Sequence, residues 1–325
     1  MMKKATKIWL IVATSLVLAG LLLFVGIMTA LGWNFAKLST VKYEISEYEI
    51  RETYQNISIK TDTADVVFLS SKSGKTSIVC YEAVKEKHRI EVRDGTLFIE
   101  LVDTRQWYDY IGNIGINFGS PKITVYLPQG ECGTLTLKGS TGDIEIPGEL
   151  AFESMNIAVS TGDVTCKASA SGAVKIKAGT GDIQVVNVTA EKLTLTVSTG
   201  KITASGIAVA GDVAVNVSTG KSYLTDVTCK NFTSTGNTGD ITMKNVIAEE
   251  KMSIERSTGD VKFDRCDAAE INVFTDTGDV TGTLCSEKIF IPNSDTGDIR
   301  VPESRTGGIC KITTDTGHIR ISYAK

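Results

Sequence analysis

Aspartates beside glycines recur at a nearly constant spacing in this chain, and they are the first residues whose pattern suggests chemistry. Ten Thr-Gly pairs recur every 19 or 20 residues, and seven of these are followed directly by an aspartate, at Asp143, Asp163, Asp182, Asp240, Asp260, Asp279 and Asp298. Stacked carboxylates of this kind could serve as the acid and base of a polysaccharide-cleaving enzyme. Together with the carbonyl groups of the turns, they could also bind calcium.

The residues around these aspartates favour neither activity. Polysaccharide-acting enzymes with β-helical folds have long, irregular coils whose side loops shape a groove, whereas the loops of this repeat are uniformly short. The sequence gives little support for a Ser-His-Asp triad, because its only histidines are His88 and His318. Late turns such as that of Asp276 and Asp279 match neither the EF-hand nor the nonapeptide calcium repeat. We expect no catalytic residue, no enzymatic activity and no cofactor, and calcium in the late turns stays an open question.

The cysteines indicate neither a zinc site nor a disulfide framework. There are seven of them, and no CxxC or Cys/His spacing occurs. Most coincide with apolar positions of the repeat, so we expect them to act as small hydrophobic side chains. Cys266 and Cys285 occupy the same position in consecutive repeats, which would make them stacked neighbours near disulfide range, and whether they are bonded is left open.

A repeat of 19 or 20 residues must position all of these groups. It is marked by the glycines of the Thr-Gly pairs, which are Gly142, Gly162, Gly181, Gly200, Gly220, Gly239, Gly259, Gly278, Gly297 and Gly317. On either side of each glycine apolar residues alternate with polar ones, as in "LTLTVSTGKITASGI" from Leu193 to Ile207. Alternation on both sides of a turn predicts two short strands per repeat, each with one face inward.

Stacking of such units in parallel is the arrangement that buries their apolar faces. A repeat of two short strands has no core of its own, but coils stacked about 4.8 Å apart share a continuous one. A meander of hairpins would need a turn signal after every strand, whereas Thr-Gly appears once per two strands. We therefore predict an all-β parallel β-solenoid of about ten coils over residues 134–325.

The Thr-Gly-Asp turn is expected to form one corner of every coil. Glycine would supply a positive φ there, and the short oxygens of threonine and aspartate would bond turn amides. In two neighbouring repeats Lys201 and Lys221 replace the aspartate. These lysines would interrupt a column of like charges that otherwise repel one another.

The N-terminus predicts a membrane helix. Ile8 to Gly32 is a run of 25 residues without charge, longer than the roughly 20 that span a bilayer and than the h-region of about 7–15 in a signal peptide. Lys3, Lys4 and Lys7 precede it, which places the N-terminus in the cytoplasm and the repeat outside the cell membrane. A long cleaved signal peptide is the alternative. The expected segments are a cytoplasmic tail, a transmembrane helix and a linker, at residues 1–7, 8–32 and 33–49.

Residues 50–133 are rich in strand signals but out of phase with the repeat, and we interpret them as an N-terminal β cap. They include "ISIKTDTADVVF", a degenerate copy of the repeat with Ala64 in place of the glycine. A hairpin is indicated by Asp94-Gly95 between two alternating runs, and "KITVYLPQG" reads as a further strand. Solenoids need atypical terminal units to close their open edges.

An aromatic insert within this region is the candidate for contact with a partner. The glycine-rich stretch "TRQWYDYIGNIGINFGS" contains Trp107, Tyr108, Tyr110 and Phe118, and nothing else in the chain resembles it. Exposed aromatic side chains on such a loop would suit a glycan, peptide or lipid surface. The alternative is that they pack as a lid over the end of the solenoid.

The order of these parts resembles a known family of β-strand-repeat proteins, called "putative adhesins" and catalogued as domain of unknown function 4097. The matching parts are "NISIKTDTADVVF", "DGTLFIEL", "ITVYLPQG" and "LTLKGSTGDIEI", in that order, and the resemblance covers residues 50–325. It implies an extracytoplasmic or surface β-solenoid, often in Gram-positive bacteria, with some relatives tied to envelope-stress sensing. The family brings no assigned catalytic residues, and Lys201, Lys221 and His318 depart from its aspartate position.

These observations together predict a non-enzymatic, membrane-anchored interaction module of the cell envelope, either adhesive or part of a stress-response assembly. Its expected partners are the membrane, through the N-terminal helix, and an envelope protein, glycan or lipid surface. Nucleic acid is excluded, because the net charge is −4 and no basic stripe occurs. The rival function is a scaffold that polymerises end to end, as bactofilin-like β-helices do. An exposed apolar C-terminal coil would favour that rival, although the charges of Arg320 and Lys325 would partly oppose pairing at that edge.

Overall fold

The computed structural model describes residues 4–34, 42–104 and 120–325. The N-terminal helix α1 spans Lys4–Ala30. Within it Thr6–Ala30 is long and apolar enough to cross a membrane. The hydrophobic segment of a signal sequence can have the same length and composition. Its large apolar side chains are mostly exposed.

The other described elements are 27 β-strands, all in one sheet system. The strands that precede the Thr-Gly repeats are β1 (Tyr43–Glu49), β2 (Asn56–Thr61), β3 (Asp65–Ser70), β4 (Ser77–Ala83), β5 (Glu86–Arg93), β6 (Thr96–Asp103) and β7 (Lys122–Leu127). The strands of the repeats are β8 (Glu131–Thr141), β9 (Ile144–Ile146), β10 (Ala151–Thr161), β11 (Val164–Cys166), β12 (Ser169–Ala170), β13 (Ala173–Thr180), β14 (Ile183–Val186), β15 (Thr189–Ala190), β16 (Lys192–Thr199), β17 (Ile202–Val209), β18 (Asp212–Thr219), β19 (Ser222–Thr238), β20 (Ile241–Thr258), β21 (Val261–Cys266), β22 (Glu270–Thr277), β23 (Val280–Leu284), β24 (Lys288–Thr296), β25 (Ile299–Arg300), β26 (Gly308–Thr316) and β27 (Ile319–Tyr323).

The predicted parallel β-solenoid is confirmed. Strand β16 pairs in parallel with β13 on one side and β18 on the other, so that Leu195 lies between Ile176 and Val215. Leu195 is fully buried while its neighbour Thr194 is only half-buried, as the alternation requires. Each coil thus adds one layer of apolar side chains to a core that runs the length of the stack.

The part of the coil that follows the Thr-Gly turn contains a second corner. It lies six residues after the Thr-Gly glycine, where the backbone has positive φ at Asn187, Asp226, Asn245 and Arg265, and at Gly206 in one coil. Asparagine and aspartate tolerate this left-handed conformation better than most residues. Their side chains form a short ladder across coils, in which Asn245 donates to Asp226 at 2.6 Å and Arg265 donates to Asn245 at 3.0 Å.

The N-terminal region contributes two further coils to the stack. Strands β2 and β3 lie directly on β8 and β9, with Ile57 opposite Leu135 and Val66 opposite Ile144. Strands β6 and β7 stack on the other side of β2 and β3. The degenerate copy around Ala64 is therefore a coil in register with the repeat. Closure of this end comes from antiparallel strands, because β5 pairs with β6 while β4 pairs with β1 and β7.

The C-terminal end is also out of chain order. Strand β26 pairs with β22, and β24 pairs with the far side of β26. The strands that follow the Thr-Gly turns of these coils are stacked in the same order, since β27 lies between β23 and β25. The last coil of the sequence is therefore an inner coil, and the coil of β24 and β25 is the outer one.

The expectation that Cys266 and Cys285 are stacked neighbours is wrong. The residue opposite Cys266 is Leu284, because β21 carries one extra residue where Arg265 has positive φ and the next coil has no counterpart. Cys285 falls one position later and is exposed, whereas Cys266 is buried. All seven cysteines, each within the described residues, are free thiols.

Candidate functional site

The Thr-Gly-Asp corner is the feature that the sequence singled out most strongly. Nine of its ten glycines have φ between 125° and 157°, a region that other residues rarely adopt. Space is an equal constraint, since a Cβ at Gly200 would collide with the carbonyl oxygen of Gly181 in the neighbouring coil. Both constraints follow from the close approach of consecutive coils at this corner.

The aspartates of the corner form a ladder between backbone and side chain. Asp163 accepts the backbone N–H of Asp182 at 2.7 Å, and Asp182 in turn accepts that of Lys201 at 2.8 Å. The ladder begins in the N-terminal coil, where Asp65 accepts the N–H of Asp143 at 2.9 Å. These carboxylates therefore cap amides of the next coil, which is a structural role.

The two lysines in the column make ion pairs with the aspartates beside them. Lys201 lies 3.0 Å from Asp182, and Lys221 lies 2.9 Å from Asp240. The hydrogen bonds to these carboxylates raise the pKa of both lysines. The hydrogen bond from Lys221 likewise lowers the pKa of Asp240. The lysines thus relieve the repulsion within the column, at exposed positions where solvent screens such pairs strongly.

His318 occupies the aspartate position near the end of the ladder, and it also accepts a backbone N–H of the neighbouring coil. Its backbone N–H donates to Asp279 at 2.8 Å. Its ring Nδ1 accepts the backbone N–H of Asp298 at 2.9 Å, which requires the proton of a neutral ring to be on Nε2. The departure from aspartate therefore preserves an acceptor at this corner.

The late aspartates do not converge on a metal position. Within the described ranges, the one group of three or more His, Cys, Asp or Glu donors that lie within 4.8 Å of one another is Cys80, Glu82 and His88. We call it the His88 cluster. It lies on β4 and β5 at the N-terminal end of the stack, and all three residues are buried. Sequence reasoning missed it because "CYEAVKEKH" has no known metal spacing, and a hairpin folds its two ends together.

The geometry of the His88 cluster is that of a buried hydrogen-bonded pair with a thiol beside it. Glu82 accepts from the backbone N–H of His88 at 2.7 Å and lies 2.9 Å from its Nδ1. The other ring nitrogen lies 3.1 Å from Thr61. Burial, and then the charge of Glu82, raises the pKa of Cys80 to about 12. The thiol is therefore protonated at neutral pH.

The aromatic residues that the sequence proposed as a partner contact, Trp107, Tyr108, Tyr110 and Phe118, lie outside the described residues. The described strands on either side of the insert are β6 and β7. Strand β6 ends at Asp103, and β7 begins at Lys122, which is paired with Asp65 at the head of the aspartate ladder. The insert therefore replaces the Thr-Gly-Asp corner of that coil in the sequence.

Several large apolar side chains are exposed on the C-terminal coils of the solenoid. Ile291 is 51% exposed and Ile309 49%, and Ile289 and Phe274 are exposed on the same outward face of the stacked strands β24, β26 and β22. The described neighbour of β24 is β26 alone, so the other edge of β24 carries no paired strand among the described residues. An exposed apolar coil at this end is the feature that would favour the rival function, and here it is the coil of β24 and β25 rather than the last coil of the sequence.

Comparison with solved structures finds similar chains of low identity. One, titled a "putative adhesin" from Bacteroides fragilis, is 16% identical, with 86% of this chain and 97% of that chain covered and a TM-score of 0.44. Another, titled a "putative lipid binding protein" from Parabacteroides distasonis, is 15% identical, with 87% and 98% covered and a TM-score of 0.45. A "putative adhesin" from the same organism is 9% identical, with 87% and 98% covered and a TM-score of 0.48.

The comparison with curated proteins found no match. The family model of Toastrack DUF4097, by contrast, matches residues 54–216 and 205–325. Its match begins before β2 and runs to the end of the last coil, so it includes the N-terminal coils as well as the Thr-Gly repeats. The chain therefore belongs to the Toastrack family, DUF4097.

Proposed function

We propose that this protein is anchored in the cell membrane by α1 and presents its Toastrack solenoid outside the cytoplasm as a non-enzymatic interaction module of the envelope. The observation that carries the proposal is the joining of an apolar, exposed helix to a solenoid within one chain. Lys3, Lys4 and Lys7 precede the uncharged run that begins at Ile8, and positive charge is retained on the cytoplasmic side. Adhesion and envelope-stress assembly are the two settings in which such a module would act.

A binding role, rather than catalysis, is supported by how the carboxylates are used. The most regular acidic column of the chain is engaged in capping backbone amides, as the bonds of Asp163 and Asp182 show. A carboxylate that holds a corner in this way is not placed to exchange protons with a substrate. The coils between the corners present flat strand surfaces, which suit contact with another surface.

The topology is tested by protease accessibility. Protoplasts that contain the full chain are treated with protease, with a cytoplasmic protein as the control. We expect residues 34–325 to be degraded while the cytoplasmic control survives. Protection of both would show the opposite orientation. Release of an intact solenoid with a new N-terminus after Gly32 would show that the segment is a cleaved signal peptide.

The contact site is proposed to be the aromatic insert. Exposed aromatic side chains supply large contact areas at low entropic cost. Replacement of Trp107, Tyr108 and Tyr110 by alanine is expected to reduce binding to cell-wall or membrane material at least about tenfold, with an unchanged circular dichroism spectrum. The matched control is Tyr223→Ala, an exposed aromatic on a repeat strand. Unchanged binding with a lower melting temperature would mean that the aromatics pack as a lid.

Self-association through the C-terminal end is a second candidate function, favoured by one observation. The outermost coil combines an edge without a paired strand among the described residues with exposed Ile289 and Ile291. A lysine there would oppose edge pairing. Sedimentation of the full chain in detergent compares Ile291→Lys with Thr194→Lys in the middle of the stack. Large assemblies that the first variant alone dissolves would favour the scaffold, and a monomer in every case would exclude it.

A further inference from the structure

The His88 cluster lies where the two sides of the solenoid meet at its N-terminal end. Cys80 and Glu82 are two residues apart on β4 and therefore point to the same, inner face. His88 comes from β5, which pairs with the opposite side of the stack, so the β4–β5 hairpin brings the three groups together across the core. The exposed fractions are 0% for Cys80, 1% for Glu82 and 4% for His88.

The carboxylate of Glu82 is incompletely satisfied in this position. Its Oε2 accepts both hydrogen bonds from His88, whereas its Oε1 is buried without a partner among the described residues. A buried carboxylate with an unpaired oxygen is costly, because it has lost its water and gained too little in return. Lys87 of the hairpin pairs with Glu44 at the surface. The Oε1 acceptor of Glu82 is thus left over in the core.

We propose that the His88 cluster is a Zn²⁺ site whose protein ligands are the thiolate of Cys80, the carboxylate of Glu82 and the imidazole of His88. These three donor types are those that zinc takes in proteins. The charges balance, since one divalent ion neutralises one thiolate and one carboxylate beside a neutral imidazole. On binding, the Cys80 thiol releases its proton to solvent.

The surroundings of His88 fit a metal ligand. Its Nδ1 faces Glu82, and its Nε2 lies 3.1 Å from the hydroxyl of Thr61. If the metal takes Nδ1, the ring proton resides on Nε2 and is donated to Thr61, the kind of outer contact that fixes a ligating imidazole.

The site would fasten the hairpin that closes the N-terminal end of the core. Metal ligands from two strands on opposite sides of the stack cross-link them, and binding to the folded state alone raises its stability. This role is independent of the proposed envelope function.

The test uses the full chain in detergent with a purification tag that contains no histidine. The metal-free protein is titrated with Co²⁺, whose bond to a thiolate gives an intense near-ultraviolet charge-transfer band, and then with Zn²⁺. We expect one Co²⁺ per chain with that band, displacement by Zn²⁺, and a higher melting temperature with Zn²⁺. Cys80→Ser should abolish the band, and His88→Gln should weaken Co²⁺ binding at least about tenfold.

The chain supplies matched controls for both ligands. His318→Gln removes the other histidine, and Cys166→Ser removes another buried thiol, so both variants should bind as the wild type does. Absence of the thiolate band in the folded wild type, or its persistence in Cys80→Ser, would overturn the proposal. In either case the cluster would be a hydrogen-bonded pair that positions the hairpin without metal. If Cys80→Ser fails to fold, the wild-type titration and His88→Gln decide.

Discussion

At the scale of single residues, the aspartate after each Thr-Gly pair solves a problem created by the corner. The chain turns there, and the amide of the aspartate position no longer points at a carbonyl of the next strand. Asp163 supplies the missing acceptor for the coil that follows, and His318 does so with a ring nitrogen. An unpaired amide costs about 1–3 kcal/mol where it is shielded from water and less where water reaches it. The ladder is thus a repeated cap, comparable to that of a helix N-terminus.

Replacement of this acceptor should destabilise the protein only if the acceptor itself is lost. Asp163→Ala leaves the amide of Asp182 without its partner, and we expect a loss of about 1 kcal/mol in the free energy of unfolding. Asp163→Asn keeps an oxygen in place and removes a like charge from the column, so it should be neutral or slightly stabilising. Urea unfolding of both variants in detergent measures the difference. Equal losses would mean that charge, rather than the hydrogen bond, matters at this corner.

Sequence reasoning anticipated the aspartate column but not the role of each member. The short oxygen beside a turn glycine predicts an amide acceptor, and the spacing predicts that acceptors stack. Recognition of the His88 cluster required knowledge that β4 and β5 lie on opposite sides of the core. Likewise, the register shift that turns Cys285 outward depends on a single extra residue in β21, which the period of 19 or 20 tolerates without a signal.

At the scale of elements, the stacked strands tolerate one polar layer in the core. Arg256 is buried on β20 at a position where earlier coils have Val197 and Val217. Its guanidinium donates to Ser234 at 2.7 Å, and its Nε has no partner among the described residues. Burial lowers the pKa of Arg256 to about 10. The opposite residue is Gly236, and any Cβ there would collide with the guanidinium and also, at 2.6 Å, with the carbonyl oxygen of Val217. The glycine is therefore matched to the arginine.

This match predicts strong coupling between the two positions. Gly236→Val alone should destabilise the protein, because the new side chain meets Arg256. Arg256→Val alone should leave a void beside the glycine. The double variant removes the collision with the guanidinium and a buried, partly satisfied charge, while the new Cβ still meets the carbonyl oxygen of Val217. It should therefore be more stable than Gly236→Val alone, with a coupling of about 1–3 kcal/mol. Additive effects in urea unfolding would place the guanidinium outside the core.

At the scale of the whole molecule, neither end of the stack follows chain order. Strands β6 and β7 lie outside β2 and β3 at one end, and β24 and β25 lie outside β26 and β27 at the other. The period does not reveal this, because the last two Thr-Gly intervals are 19 and 20 residues like the others. One signal was available in the proline of β24. Pro292 lacks an N–H for a ladder bond, which an edge strand tolerates and a central strand does not.

The order of the final coils makes opposite predictions for two deletions of similar size. A variant without residues 288–307 loses the outer coil, and Gly278 and Gly317 then lie 19 positions apart, the ordinary repeat. Since β22 and β26 already pair, this variant should keep an unfolding midpoint near that of the wild type. A variant that ends at Gly307 loses the inner coil instead. Its remaining terminal coil would have to pack Pro292 where Ile312 now lies against Val273.

The truncated variant should therefore lose on the order of 3 kcal/mol or more, the value of one or two large apolar side chains no longer buried. Thermal and urea unfolding of both variants, in the same detergent, measures the difference. If the stack followed chain order, the internal deletion would remove a central coil and be the more damaging of the two. That result would contradict the pairing of β22 with β26. The internal deletion also removes Ile289 and Ile291, so its sedimentation shows whether the outer coil is what holds copies of the chain together.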